Sequence, residues 1–342
     1  MQGASHRYKV GIIGATGYTG CELARLLACH PNVDLDVLTS ESFAGQMLSD
    51  VYPSAPALPL VPSADASFGE LDIAYLCLPH AAAAETASRA LEAGSRVIDL
   101  SADFRLRSVE LYEKTYQTRH PAPEWLDRAV YGLTEYAREA LPEARLVANP
   151  GCYPTTVLLA LLPLVKLGVR VSGRVVVDAK SGVSGAGRKP TQLTHSVEVA
   201  DNLTPYKLGR AHRHLPEMEQ ELNRFGTTAP ELCFVPHLLA IPRGMLSTIY
   251  VPLCDSPDES ALRAAFEKEY SEEPFVHLLP QGQVATVAHA HLTNRAAISL
   301  NVCGNMLIIV SVIDNLLKGA SGQALQNMNV MLGLDETTAL PG

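Results

Sequence analysis

"YKVGIIGATGYTGCELARLLACHP", residues 8–31, reads as a strand, a glycine turn and a helix in direct succession. Residues 8–13 form a compact apolar run. Gly14, Gly17 and Gly20 then punctuate seven residues, and Leu23, Leu26 and Leu27 recur at helical spacing until Pro31 stops the pattern. A strand that turns on glycines into a helix leaves backbone N–H groups uncovered at the positive end of that helix, which suits the pyrophosphate of a dinucleotide. The spacing is G-x-x-G-x-x-G, a variant of the usual fingerprint, and a bare tight turn would use the same glycines. Its place after the first strand of an alternating pattern favours the cofactor, so Gly14, Ala15, Thr16, Gly17, Tyr18, Thr19 and Gly20 form the expected cradle.

Outward from that stretch the alternation continues. Val33, Leu35 and Val37 alternate as a second strand, and "DIAYLCL" (72–78) and "RVIDL" (96–100) flank an alanine-rich helix candidate at 81–93. Strands alternating with helices imply a parallel sheet wrapped on both faces. After about residue 150 the strands come with few helices between them: "RVVVDAK" (174–180), "LCFVPHLLA" (232–240), "MLSTIYVPL" (245–253), "AAISLNVCG" (296–304) and "MLIIVSVI" (306–313). The expected architecture is α/β. A parallel-sheet domain occupies 1–148, and helix candidates in 315–342, starting with one at 315–328, are placed to pack back on it. A second, α+β domain with a mostly antiparallel sheet occupies 149–314. Within it Ser256, Pro257 and Glu259 fit the N-cap, N1 and N3 positions of a capping box.

Composition narrows the function. The 342 residues are 47% hydrophobic, ample for two cores, and the net charge of −9 comes without a basic stripe, which argues against nucleic acid. The longest apolar run, "TTVLLALLPLV", is interrupted by Pro163, and the first residues lack a secretory apolar core, so neither membrane nor export is expected. Seven scattered cysteines without a C-x-x-C pair argue against a disulfide framework and a zinc site, and fit reduced thiols in the cytoplasm. No metal is expected, and the partner is a small molecule.

Three segments carry chemistry. At the end of the second strand stand Thr39, Ser40, Glu41 and Ser42; the two hydroxyls leave room for a ribose 2′-phosphate and favour NADP(H), whereas Glu41 would repel one if it pointed inward. In "NPGCYPTTV" (149–157), Cys152 stands after a glycine and at the start of an apolar helix, where the aligned backbone dipoles favour a thiolate. The other six cysteines fall inside helix or strand runs and read as small buried hydrophobes. In "GRAHRHLPEMEQEL" (209–222), His212 and His214 lie on one side of an extended segment, and Pro216 opens a helix whose positive end keeps a nearby imidazole neutral and able to act as a base. His214, nearer that helix, is the preferred acid/base and His212 a supporting group. His80 in "CLPHAAAA" is expected to line the cofactor cleft.

At this point the chain resembles a known family. "GATGYTG", "DLSADFR", "NPGCYPT", "SGVSGAGR", "HRHLPE", "PHLLAIPRGM" and "DNLLKGASGQALQNMN" occur in the order and spacing of the N-acetyl-γ-glutamyl-phosphate reductases, relatives of aspartate-semialdehyde dehydrogenase, from about residue 8 to 333. The resemblance implies NADPH-dependent reduction of an acyl phosphate to a semialdehyde in arginine biosynthesis, through a thioester on Cys152, with His214 as acid/base. It carries over Ser184, Gly185 and Ala186 to the nicotinamide half of the cofactor. It also implies that 1–148 is a Rossmann-type NADP-binding domain completed by the C-terminal helices of 315–342, that 149–314 is the catalytic and oligomerisation domain, and that the protein is a homo-oligomer, dimer or tetramer. A phosphate and a substrate carboxylate both call for fork-shaped cations, for which Arg105, Arg188 and Arg243 are candidates, and Asn149 would position the cysteine loop. The departure is Glu41, where relatives often carry a basic residue. Two other readings remain: reduction of a carrier-protein-linked α-aminoadipyl or glutamyl phosphate, which would need a basic rim, and a non-catalytic NADP-binding redox regulator, which would not need both Cys152 and His214.

Overall fold

A computed structural model describes residues 7–226, 229–255 and 258–342. The chain divides into two compact units: one runs to Pro150 and takes back Ala320–Pro341, and the other is Gly151–Gly319. The divisions fall two and five residues beyond the expected 148/149 and 314/315.

The first unit is built on a seven-stranded, wholly parallel sheet. Its strands are β1 (Tyr8–Ile13), β2 (Val33–Thr39), β3 (Leu60–Val61), β4 (Ile73–Leu76), β5 (Arg96–Asp99), β6 (Ala129–Tyr131) and β7 (Leu146–Ala148), in the order β3-β2-β1-β4-β5-β7-β6. Strand order reverses between β1 and β4, so the crevice at their carboxyl ends is the topological switch point where such sheets bind ligands. Both sheet faces are covered. Leu23 and Leu27 of the helix Tyr18–Ala28 pack with Leu325 and Met328 of the helix Gly322–Met331 on one side, and Ala83, Ala87 and Leu91 of the helix Ala82–Glu92 pack with Trp125 and Leu126 on the other.

The helix Gly322–Met331 is buried on nearly every side although it carries Gln323, Gln326, Asn327 and Asn329. Such burial is tolerable only if each amide finds a partner. Asn327 takes the Thr134 hydroxyl at 2.8 Å and donates to the Gly132 carbonyl at 2.8 Å, Asn329 pairs with His30 at 3.0 Å, and Arg96 reaches the Met331 carbonyl at 2.8 Å. The helix starts seven residues later than the expected 315. Leu316 and Leu317 donate their N–H groups to the Asp314 carboxylate, and Leu317–Ser321 forms a wide π-type turn first.

The second unit holds a seven-stranded mixed sheet of β8 (Val175–Gly182), β9 (Leu203–Pro205), β10 (Leu232–Leu239), β11 (Met245–Pro252), β12 (Val276–Leu278), β13 (Ala296–Cys303) and β14 (Met306–Ile313), in the order β12-β13-β14-β11-β8-β10-β9. Four of its six pairings are antiparallel; β8–β10 and β12–β13 are parallel. Alternation along β10 and β11, and along β8 as far as Ser181, sends every second side chain under the helices. One of those is the helix Cys152–Leu167, where Thr156 Oγ1 meets Ser247 Oγ of β11 at 2.7 Å. Pro163 lies inside it, and its missing N–H would orphan the Leu159 carbonyl. The Tyr270 hydroxyl donates to that carbonyl at 2.6 Å, so the helix continues to Leu167. Tyr270 ends the helix Glu259–Tyr270, whose N-cap is Asp258, bonded to the Ser260 N–H at 2.9 Å. Asp258 takes the place expected of the Ser256–Pro257 capping box, and those two residues lie outside the described residues. Among the described residues no helix is long and apolar enough to cross a membrane.

Candidate active site

In the first unit the three glycines of the turn have three different reasons to be glycine. Gly14 has φ +91°, and a Cβ there would stand 2.6 Å from the Cys77 carbonyl oxygen at the end of β4. At Gly20 a Cβ would come 2.5 Å from the Gly14 carbonyl, so the helix could not lie this close on the turn. Gly17 is the N-cap of the helix Tyr18–Ala28, and a Cβ there would meet nothing nearer than 3.8 Å. Tight turn, open backbone approach and close helix packing are the requirements of a dinucleotide pyrophosphate site, and the geometry fits that group.

Side chains around the turn fix its rim. Thr39 Oγ1 accepts the Gly14 N–H at 3.1 Å, Ser40 Oγ lies 2.9 Å from Thr16 Oγ1, and the Glu41 carboxylate accepts the Ser63 N–H at 2.9 Å. Further along, the exposed His80 accepts the Ala102 N–H on Nδ1 at 3.1 Å and tilts against Tyr116. Asp99, the last residue of β5, takes the Ser101 N–H and hydroxyl on its carboxylate; burial, then the charge of Asp103, pushes its pKa up to about 7.

Arg105 and Asn149 work on the backbone of this unit. Arg105 is 7% exposed and donates to the Asn149 carbonyl at 2.8 Å and the Leu100 carbonyl at 3.0 Å. Through Nε and Nη2 the Arg105 fork thus holds two carbonyls that shape the Asn149 loop. Asn149 donates to the Ala320 carbonyl and accepts from Asn327, anchoring the chain three residues before Cys152.

The second unit opens with the nucleophile candidate. Gly151 is the N-cap and Cys152 the first residue of a sixteen-residue helix, so the thiol stands at its positive end. The packing is tight: a Cβ on Gly319 would lie 2.9 Å from Cys152 Cβ. Cys152 is half-buried, and all seven cysteines are free thiols.

The helix Leu215–Phe225 meets the same point. Its third residue, Glu217, is 1% exposed and accepts the Gly151 N–H at 2.8 Å. A glutamate at N3 usually folds back onto its own N-cap N–H. Here the His214 N–H instead donates to His212 Nδ1 at 3.1 Å, which releases Glu217 to cap the neighbouring helix. Sequence reading missed Glu217; the signal was an acidic N3 residue straight after the histidine pair.

His212 and His214 differ in setting. His212 lies among Tyr153, Tyr206 and Phe234, with ring centroids 5.1–5.6 Å away, and 4.9 Å from the His214 ring. Burial, then the cations of Lys207 and Arg213, pushes its pKa down to about 4, so it is neutral at pH 7 with Nδ1 occupied as an acceptor. Burial likewise keeps the Tyr153 and Tyr206 phenols protonated, and Tyr206 donates to Tyr153 at 3.3 Å.

A third cluster gathers at the ends of β8, β10, β11 and β14. Ser184 Oγ accepts from Asn315 Nδ2 at 2.9 Å while Asn315 Oδ1 accepts the Gly244 N–H at 2.7 Å, and Gly182 lies so close to Arg243 that a Cβ would stand 2.8 Å from its Cα. Arg243 grips the fully buried Asp314 side-on through two bonds of 2.8 Å. Gly185, Ala186 and Arg188 lie exposed beyond Ser184. Thus Cys152, the histidines and the Arg243–Asp314 pair belong to the second unit, and the glycine turn, Ser40, His80, Arg105 and Asn149 to the first.

Comparisons with known proteins agree with this division. A family model described as "Semialdehyde dehydrogenase, NAD binding domain" matches residues 9–144, and one described as "Semialdehyde dehydrogenase, dimerisation domain" matches 152–315. Among curated relatives, the N-acetyl-gamma-glutamyl-phosphate reductase of Moorella thermoacetica is 46% identical over 340 residues and that of Pseudomonas aeruginosa 45% over 346, each covering 97% of both chains. Among solved structures, aspartate semialdehyde dehydrogenase II of Vibrio cholerae complexed with ASA superposes with a TM-score of 0.74 at 18% identity, covering 96% of this chain and 99% of that one. The NADP-bound aspartate semialdehyde dehydrogenase of Candida albicans gives 0.67 at 16%, covering 95% and 98%. At those identities the two structures speak for the fold.

Proposed function

Because this chain belongs to the N-acetyl-γ-glutamyl-phosphate reductases of the semialdehyde dehydrogenase family, we propose that it reduces N-acetyl-γ-glutamyl phosphate to N-acetylglutamate semialdehyde and phosphate, with NADPH as hydride donor. The observation that carries the reading is the bond from the Gly151 N–H to Glu217, which joins the N-terminus bearing Cys152 to the N-terminus that follows His214.

The helix dipole at Cys152 favours the thiolate, which attacks the acyl carbon. The carbon–oxygen bond to phosphate breaks, phosphate leaves with the electron pair, and a thioester remains on Cys152. His214 takes the thiol proton and returns it to the departing phosphate, so the histidine ends as it began. Gly14, Gly17 and Gly20 would hold the pyrophosphate of NADPH and Ser184, Gly185 and Ala186 would serve its nicotinamide half, and the bound cofactor would supply the hydride for the thioester carbonyl. The resulting alkoxide re-forms a carbonyl as the carbon–sulfur bond breaks, which frees the aldehyde, and the departing thiolate takes a proton from solvent by way of His214, so that Cys152 ends as the thiol it began as. After Cys152, Pro154 has no N–H and the Thr155 N–H is bonded to the Gly151 carbonyl at 3.0 Å, so the Tyr153 N–H is the donor of that turn offered to the oxygen. Arg188 and Arg243 are the candidate cations for phosphate or carboxylate.

The chain acts in the cytoplasm as a homo-oligomer. One face of the second unit's sheet carries Val176, Val235, Tyr250 and Ile308, half-exposed, and a second copy is the occupant that suits it. The direct test runs the reaction backwards. Purified protein with N-acetylglutamate semialdehyde, phosphate and NADP+ should generate reduced cofactor; a folded sample that stays silent with both NADP+ and NAD+ overturns the reading.

The two histidines should separate in a pH profile. His212 is neutral above about pH 4, so an acid limb of kcat/KM at higher pH belongs to another group. His212→Asn should lower kcat about tenfold, the worth of a lost positioning bond of about 1.4 kcal/mol, and leave that limb in place. His214→Asn should remove the limb along with about 10²–10⁴-fold of the rate. Stability carries the same signature with a definite sign. The unfolded imidazole of residue 212 takes a proton below its ordinary 6.5 and the folded one only near 4, so this contribution is full above pH 6.5 and is lost as pH falls towards 4.

A further inference from the structure

The rim of the glycine turn holds a fixed negative charge where a phosphorylated ribose needs a positive one. Thr39 Oγ1, which accepts the Gly14 N–H, lies 3.1 Å from Ser63 Oγ, and the Ser63 N–H donates to Glu41 Oε1. A run of short contacts therefore leads from the glycine turn through Thr39 and Ser63 to the Glu41 carboxylate. It fixes the direction of a side chain that is otherwise exposed. The bonds from Ser63 also hold the Glu41 carboxyl below the usual carboxylate range, so it stays ionised at neutral pH.

The surrounding sequence supplies no counter-charge. Between Arg25 and Arg89 there is neither lysine nor arginine, whereas Asp34, Asp36, Glu41, Asp50, Asp65, Glu70, Asp72 and Glu85 all fall in that interval. Arg25 itself donates to Ser54 Oγ and lies 3.6 Å from Glu22. A 2′-phosphate at the end of β2 would meet the hydroxyls of Ser40 and Thr16 and the charge of Glu41. A 2′-hydroxyl would meet the same groups as a donor facing acceptors, the arrangement by which an acidic residue at this position reads an unphosphorylated ribose.

We propose that Glu41 sets the nucleotide preference of this chain, withholding from the 2′-phosphate the advantage it would otherwise have, so that NAD(H) is accepted alongside NADP(H). The inference rests on the dinucleotide reading of the glycine turn and goes beyond it by naming the discriminating residue. The competing role is local: Glu41 caps the short turn at Ser63–Asp65 and has no bearing on the ribose.

Binding measured without turnover distinguishes the two. Isothermal titration of the full chain with NADP+ and with NAD+, for wild type, Glu41→Gln and Glu41→Arg, gives six dissociation constants. Wild type should bind the two nucleotides within about tenfold of each other, and Glu41→Gln should tighten NADP+ about tenfold while NAD+ moves less than about threefold, with Glu41→Arg going further in the same direction. Raising ionic strength from about 0.05 to 0.5 M should improve NADP+ relative to NAD+ for wild type, because a repulsion is being screened, and should not do so for Glu41→Gln. A wild-type preference for NADP+ above about a hundredfold, or equal shifts of both nucleotides in Glu41→Gln, overturns the proposal and leaves the glycine-turn site standing. If wild type binds neither nucleotide, the dinucleotide reading falls too.

Discussion

Cys152→Ala should lose turnover by about 10⁴-fold or more while NADP+ and NAD+ bind as in the wild type. The size follows from what is removed: without the thiolate there is no thioester, and water is a poor substitute at the acyl carbon. The separation of binding from turnover follows from the division of labour, since the glycine turn and its rim belong to the unit that ends at Pro150 and Cys152 to the other. Packing does not confuse the result. Alanine keeps the Cβ that sits against Gly319 and has good helix propensity at the first position of the helix. Steady-state rates with acyl phosphate and a nucleotide titration on the same sample check both halves. Retention of a tenth or more of the wild-type rate would mean that Cys152 is packing and the chemistry lies elsewhere.

Asp314→Ala should be the most damaging substitution outside the nucleophile, and its effect should appear first as stability. The carboxylate is fully buried and accepts five bonds: two from Arg243, and one each from the N–H groups of Leu292, Leu316 and Leu317. Removing it strands a mostly buried guanidinium and three backbone donors at once. Breaking a buried pair by deleting one partner costs about 3–5 kcal/mol. For a unit of this size that corresponds to a fall in Tm of about 10 °C. Asp314→Asn keeps the shape and some acceptor capacity and should recover part of the loss. Differential scanning calorimetry of the three proteins reads it; a fall of less than about 2 °C for the alanine variant would show that the five bonds are replaced by water at little cost.

Much of this architecture was legible in the sequence because it rests on local signals. The stretch 8–31 is strand, glycine turn and helix, as its periodicity says, and the switch to closely spaced strands after residue 150 marks the second sheet. Cys152 was legible for the same reason, since a glycine before it and an apolar run after it describe a helix start. What was not legible depends on pairs far apart in the chain. Glu217 reads as a surface capping residue until its helix meets Gly151, 66 residues away. Arg105 and Arg243 are chemically alike on paper; one is turned onto carbonyls and the other onto a carboxylate, and only tertiary contacts decide which. The helix at the C-terminal end was expected too early because Asp314 captures N–H groups that would have opened it.

The first unit is assembled from two pieces of chain separated by the whole of the second. β1 to β7 are complete by Ala148, yet one face of their sheet is closed by the helix Gly322–Met331, and His30, Arg96 and Thr134 wait for Asn329, the Met331 carbonyl and Asn327. During synthesis, therefore, the order of emergence and the order of completion must differ. The contiguous Gly151–Gly319 segment has its partners within the unit before the earlier segment does. For that interval the nascent dinucleotide-binding half exposes apolar surface on the side where Leu325 and Met328 will sit.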